Sequence, residues 1–417
     1  MNILLINHYA GSPRHGMEFR PYYLAREWVR QGHRVQILAG AYSHIRAQQP
    51  QLPPAARGRW LDETIDGIDY RWYPMSPYQG NGLGRVGSIL AFLWPLWRGA
   101  AALAQQLRPD LVIASSTYPM DIWPARRIAR LAGARLVYEV HDLWPLSPME
   151  LGGMSRHHPF IRWVQWAEDL AYRDADQVIS MLPLALPYMQ SRGLAAHKFA
   201  HVPNGVDCDE WADPQPLPRE LAERLQAIAA LGRPLVGYAG SHGLANALDD
   251  LLDAARLLSG RAEVVLVGTG PQRARLAQRV QQQGLANVHL LPAVPKRAIP
   301  SLLQRFDLAY IGWHPNPLYR FGICPNKLMD YMMAARPIVH AVCAGNDPVA
   351  EAGCGLTVPP GDIAAIVQAI EQLLALPPGE RAALGQAGRA YVLARHTYPH
   401  LAQQFLQALQ REDTSRP

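Results

Sequence analysis

Residues 321–339, FGICPNKLMDYMMAARPIV, are apolar, small or aromatic almost throughout, yet they carry Lys327 and Asp330. An i, i+3 spacing sets both on one side of a helix expected over residues 326–335. A carboxylate there can accept both hydrogen bonds of a ribose diol, each worth about 1.5–3 kcal/mol as a charged bond. A lysine one turn earlier would lie beside a diphosphate, with Arg320, Phe321 and Gly322 just ahead of it. The alternative is a surface ion pair worth only about 0.2–0.5 kcal/mol. Against it stands the apolar setting of both residues.

Three further loops follow apolar runs. His141 closes the run RLVYEV and opens HDLWPLSP. A neutral imidazole there can hydrogen-bond a sugar hydroxyl or offset developing positive charge, with Glu139 and Asp142 close enough in sequence to orient it. A histidine satisfied inside the core is the alternative. The loop HYAGSPRHGMEF sets Gly11 and Gly16 before a helix N-terminus, where free amides can meet an anion or sugar hydroxyls. It is neither GxGxxG nor a Walker A loop, and a plain tight turn uses glycine in the same way. The loop SHGLAN offers Gly240, Ser241 and Gly243 ahead of a helix expected over residues 246–258, whose macrodipole would favour a phosphate. Turn chemistry explains that loop equally well.

The elements that must position these residues alternate in type. NILLIN, a helix over residues 18–31 and RVQILAG form a βαβ unit. Strands are expected at residues 110–115, 135–140 and 177–182, and their near-continuous apolar character predicts a parallel sheet covered on both faces. A Pro-, Asp- and Gly-rich segment, residues 201–218, reads as a linker, after which the pattern restarts with strands at 234–240, 262–268, 287–291, 308–313, 337–342 and 355–359. The fold class is therefore α/β, with two doubly wound Rossmann-like domains. Ligands in such sheets bind beyond the carboxyl ends of the strands, which places the expected site in a cleft between the two. The expected division is residues 1–205, 206–385, and C-terminal helices over 386–417 that return toward the first domain.

Composition narrows the partners. A formal net charge of +6 favours acidic partners, meaning phosphates or anionic lipid, and no nucleic-acid-binding motif is present. Cys208, Cys324, Cys343 and Cys354 are scattered without metal-ligand spacing, as expected in a reducing compartment. The start, MNILLINHYA, has no basic leader and reads as a buried strand. No run reaches the ~18 apolar residues of a membrane span. Only Lys198, Lys296 and Lys327 are lysines among 40 basic residues, so each retained ammonium marks a place where a compact cation is preferred to a guanidinium, or a chance survival.

With those residues in view, the chain resembles the family 4 glycosyltransferases of the GT-B fold, in particular the members that build bacterial O-antigen, capsule or exopolysaccharide, including the fucosamine-transferase-like branch. The segments that carry the resemblance are GMEFRPYYLAREWVRQGHRVQILAG, YEVHDLWP, VPNGVD, YAGSHGLANALDDLL and YRFGICPNKLMDYMMAARPIV. The resemblance implies sugar transfer from a UDP-, GDP- or dTDP-sugar with retention of configuration and with no metal or other cofactor. It implies that Asp330 holds the donor ribose and that His141 contacts the donor sugar. Gly11 and Gly16 would lie near donor and acceptor, and Asn204, Gly205 and Asp207 would form the interdomain segment. Two features depart from the family pattern: Gly322 and Asp330 stand where many relatives carry two glutamates, and SHGLAN lacks the usual Arg and Lys. The diphosphate charge is then assigned to Lys327, Arg320 and the amides near Gly240 and Gly322.

The acceptor implied is a saccharide or polyprenyl-linked saccharide, which places the enzyme in the cytoplasm, at the inner face of the membrane. Residues 85–108, RVGSILAFLWPLWRGAAALAQQLR, then become a candidate for peripheral contact with anionic lipid, with Trp94 and Trp97 at the interface and Arg85, Arg98 and Arg108 toward phosphates. A core helix is the alternative. A GT-B nucleotide-sugar epimerase and a non-catalytic GT-B subunit remain open as other functions. A nicotinamide dehydrogenase is disfavoured because no GxGxxG follows either first strand.

Overall fold

A computed structural model describes residues 1–16, 19–43, 46, 48–51, 60–78 and 82–410. The chain divides into two compact units: Met1–Pro203 together with the last helix, Tyr398–Ala408, and Asn204–Thr397.

The first unit is built on an eight-stranded sheet of β1 (Asn2–Ile6), β2 (Arg34–Gly40), β3 (Leu61–Ile65), β4 (Ile68–Tyr73), β5 (Leu111–Ala114), β6 (Arg135–Val140), β7 (Gln177–Ser180) and β8 (Phe199–His201), in the order β3-β4-β2-β1-β5-β6-β7-β8. All neighbours are parallel except β3 and β4. That hairpin is absent from the sequence reading, although Asp66 and Gly67 between two alternating runs are its signature. Both are left-handed, at φ 51° and 80°, as a type I′ turn requires. β8 was likewise not expected, and its last residue, His201, falls at the start of the expected linker. Chain order reverses between β1 and β5, so the crevice beyond their carboxyl ends is where a ligand belongs.

Helices cover the sheet. α1 (Phe19–Arg30) packs its Trp28 against Phe405, ring centroids 5.1 Å apart, and donates the indole N–H to the Ala402 carbonyl. The helix expected across residues 85–108 is two, α2 (Leu83–Arg98) and α3 (Ala100–Leu107), bent by 62°. Pro95 lacks the N–H that would continue the ladder, and Gly99 at ψ 3° ends the helix with its amide on the Pro95 carbonyl. Among the described residues no single helix is long and apolar enough to cross a membrane. α4 (Ile122–Ala132) follows β5, and the helix Pro159–Asp174 follows β6.

The second unit carries a six-stranded parallel sheet of β9 (Leu235–Ala239), β10 (Glu263–Val267), β11 (Val288–Leu291), β12 (Leu308–Gly312), β13 (Ile338–Ala341) and β14 (Gly355–Val358), ordered β11-β10-β9-β12-β13-β14. Every residue of β9, β10, β12 and β13 is buried, which accounts for their apolar character, interrupted by Glu263 and His340. The expected domain boundary at residue 385 falls inside the helix Pro378–Arg395. That helix stays with the second unit, because Gly385 and Gly388 let it close on Ala335 and Cys354, where an added Cβ would meet the Ala335 carbonyl oxygen at 2.0 Å.

Candidate active site

In the first unit, His141 stands directly beyond β6. Its Nε2 lies 3.0 Å from Ser115 Oγ and 3.2 Å from Glu139 Oε2. Ser115 donates its hydroxyl hydrogen to Glu139 at 2.5 Å, so Nε2 serves as the donor and a neutral ring presents an unprotonated Nδ1. Among the described residues Nδ1 has no partner. Glu139 is fully buried and receives Arg20 of α1 at 3.0 Å; the Arg20 guanidinium also binds the carbonyls of Val202 and Pro203. Burial works against ionisation of Glu139, but Arg20 and then His141 overcome it and hold the carboxyl down at about 2. Glu139 therefore orients His141 as expected, whereas Asp142 does not: its carboxylate accepts from Ser147 Oγ at 2.8 Å and caps the following turn.

The same edge holds residues that the sequence reading passed over. Asp121, fully buried ahead of α4, accepts the Ser116 amide at 2.8 Å through one oxygen, while its other oxygen has no partner among the described residues. Burial pushes its carboxyl up to about 7, against the pull of the Ser116 hydrogen bonds. Arg85, expected to face lipid, instead lies 5.3 Å over the Trp144 ring. In the first loop, the Gly16 amide closes on Ser12 and the Gly11 carbonyl accepts from Tyr70, so these glycines shape a turn.

In the second unit, Lys327 and Asp330 lie on the helix Asn326–Met333 but do not pair with each other. Asp330, 9% exposed, is bound by Lys296 Nζ at 2.9 and 2.7 Å, with Glu210 a further 3.8 Å from the same ammonium. Burial opposes charge on Lys296, yet Asp330 and Glu210 outweigh it and raise its pKa above the usual lysine value. Lys327 turns the other way. It donates to Asn246 Oδ1 and, at 3.1 Å, to Tyr238 Oη, with the Trp313 ring centroid 4.9 Å away. No carboxylate among the described residues forms an ion pair with it, and burial lowers its pKa to about 7.

The loop after β9 is locked rather than open. The Gly240 amide donates to Val267 at 3.0 Å and the Gly322 amide to Tyr319 at 2.9 Å, so neither is free for the diphosphate to which the sequence assigned them. The expected helix at residue 246 starts at Leu248, after a 3-10 turn Leu244–Asn246 and a left-handed Ala247. Asp249 and Asp250 already occupy its first turn, which removes the case for a phosphate on that macrodipole. Ser241 serves through its carbonyl, which accepts from Tyr238 and Asn246. Against this loop presses the GTGP segment after β10, a motif that the sequence reading missed. A Cβ on Gly268 would meet the Gly240 carbonyl oxygen at 1.9 Å, and one on Gly270 the His242 carbonyl oxygen at 2.7 Å. His242 is buried with no hydrogen bond to either ring nitrogen among the described residues, and burial lowers its pKa to about 4, with Arg273 adding to the effect.

Arg320 is exposed on the 3-10 turn Pro317–Phe321, 4.3 Å over Phe321. Asn204 donates to the Cys324 carbonyl at 2.8 Å and fixes the segment after Gly322. Among the described residues no three His, Cys, Asp or Glu side chains are grouped to hold a metal ion.

Two family descriptions match: glycosyl transferase 4-like domain over residues 15–205, and glycosyl transferases group 1 over residues 233–376. The chain is 27% identical over 317 residues to the 2-deoxystreptamine N-acetyl-D-glucosaminyltransferase of Streptomyces fradiae, covering 71% of this chain and 70% of that one. It is 27% identical over 337 residues to the D-rhamnosyltransferase WbpZ of Pseudomonas aeruginosa, covering 75% and 84%. Its fold matches Anabaena HepE, solved in complex with UDP-glucose, at a TM-score of 0.65 and 17% identity over 98% of this chain and 99% of that one. With two doubly wound units and both glycosyltransferase domains in sequence, the chain belongs to the family 4 glycosyltransferases of the GT-B fold.

Proposed function

We propose that the protein moves a sugar from a nucleotide diphosphate donor, with retention of configuration, to a saccharide or lipid-linked saccharide acceptor in bacterial surface polysaccharide synthesis. Lys327 carries this reading: a part-buried amine between aromatic rings, answered among the described residues only by the neutral oxygens of Asn246 and Tyr238. An arriving anion stabilises such a cation, and a diphosphate is the anion a sugar nucleotide brings. HepE binds UDP-glucose, which supports a UDP-sugar ahead of its GDP and dTDP counterparts.

Asp330, held by Lys296, keeps lone pairs for a ribose diol. Arg320 and Lys327 meet the charge that grows on the leaving diphosphate, so the scheme invokes no metal. His141 accepts a donor-sugar hydroxyl through Nδ1. The departing phosphate oxygen takes the acceptor proton as the new glycosidic bond forms on the same face. The reaction is assigned to the cytoplasmic side of the membrane.

A thermal-shift panel with UDP, GDP and dTDP tests the reading, because a ligand that binds only the native state raises its melting temperature. One nucleotide is expected to stabilise the wild type and to lose that effect in Lys327→Met. No stabilisation of the wild type by any of the three overturns it.

A further inference from the structure

On the first unit, α2, α4 and the helix Pro159–Asp174 enclose a groove of about 900 Å³. Its walls carry Trp94 and Trp97 of α2, Trp123 of α4, and Trp163 and Trp166 of the third helix. These rings form two clusters: Trp94 stacks on Trp97 at 5.8 Å, and Trp123 lies 5.5 Å from Trp163 and 5.3 Å from Trp166. Trp94 is 59% exposed and Trp166 62%. A monomer rarely leaves so much contiguous aromatic surface to water.

The rim has one sign of charge. Arg127 lies 4.2 Å over the Trp97 ring, and Arg126 and Arg130 line the same groove. Asp174 is the carboxylate that Arg126, Arg130 and Arg173 all share, so cations remain in excess. The Trp123 indole N–H is buried without a partner among the described residues. Indole rings with a polar tip, surrounded by arginines, match the boundary between lipid headgroups and acyl chains. The surface also differs from the one that residues 85–108 suggested. Three helices build it, and neither Arg85 nor Arg108 lines it.

We infer that this groove is a docking site for an anionic phospholipid leaflet, with the tryptophans at the acyl boundary and Arg127 and Arg130 at lipid phosphates. This deepens the membrane-side part of the proposed function. Trp123 follows Asp121 by two residues, so the groove begins beside the carboxyl edge that carries His141.

Flotation of the full chain with vesicles of phosphatidylcholine, with or without phosphatidylglycerol, tests the inference. The wild type is expected to float with the mixed vesicles and at least tenfold less with phosphatidylcholine alone. Trp94→Ser with Trp166→Ser should cut binding at least tenfold, since both rings are exposed and their loss leaves the core intact. Arg127→Gln with Arg130→Gln should cut it roughly thirtyfold, on the basis of the usual effect of a basic residue near an anionic surface. Melting temperatures and nucleotide-induced shifts, measured in parallel, separate a lost membrane site from a lost donor site. Equal flotation of wild type and both variants overturns the inference. So does a wild-type dimer in sedimentation that the Trp pair dissociates without any vesicle binding, which would assign the groove to a second copy.

Discussion

Lys296 reaches both carboxylate oxygens of Asp330, at 2.9 and 2.7 Å, across 34 residues of sequence. The two side chains are 31% and 12% exposed, so the pair lies between the surface and buried limits. A double-mutant cycle of Lys296→Met and Asp330→Asn is expected to give a coupling of about 1–3 kcal/mol in urea unfolding. Lys296→Met should also raise the donor KM, because Asp330 loses the group that aims it. A coupling near zero would show that the contact is incidental.

Lys327, at about 7, is half neutral near pH 7 when no anion is bound. A diphosphate favours its charged form, so above pH 7 nucleotide binding must take up a proton. Titration calorimetry at pH 8 in buffers of different ionisation enthalpy should report uptake approaching one proton. Lys327→Met should abolish that uptake. For folding the sign is the reverse of an ordinary ion pair. The lowered pKa costs stability below pH 7, and that cost is relieved as pH rises toward 10.5, so Lys327→Met should gain on the wild type at pH 6.

Glu139, at about 2 against an ordinary 4.5, contributes stability that is full above pH 4.5 and disappears as pH falls toward 2. Glu139→Gln leaves Arg20 buried without its carboxylate and should cost roughly 3–5 kcal/mol at neutral pH. The gap to the wild type should narrow in unfolding curves between pH 4.5 and 2. His141→Asn, by contrast, should leave nucleotide shifts intact and slow transfer about 10–100-fold, the worth of one hydrogen bond to the donor sugar.

Gly270 has φ 154°, and its missing Cβ would sit 2.7 Å from the His242 carbonyl oxygen. Gly270→Ala should displace the loop that carries Ser241 and Asn246, with a stability loss of roughly 1–3 kcal/mol by analogy with overpacked cores. Donor KM should rise with little change in kcat. Unaltered KM would separate this loop from the donor.

Eleven of the fourteen strands among the described residues were legible, because most of them are buried on both faces and read as apolar runs. The hairpin of β3 and β4 was not, since its alternating DETIDGIDYRWY was outweighed by the surrounding loops. The candidate site was legible in its residue types but not in their partners. Lys327 and Asp330 stand one helical turn apart, yet Asn246 and Lys296 claim them from opposite sides, and only the tertiary fold brings those residues in. Arg20 lay unnoticed in α1 because its partner Glu139 is 119 residues away. All three retained lysines have hydrogen-bond partners. Lys296 and Lys327 both face the candidate donor residues, and Lys198 binds the carbonyls of Arg173 and Ala175.

The final helix, Tyr398–Ala408, gives Phe405 and the Ala402 carbonyl to Trp28 and stacks Tyr398 on Tyr23 at 4.6 Å. The first unit is therefore not a contiguous stretch of chain. As the chain leaves the ribosome, residues 1–203 emerge with an indole-lined gap that nothing fills until residues 398–408 have been made. Its assembly waits on residues about 200 positions downstream, and a stop just short of residue 398 would leave the first unit open and prone to aggregate.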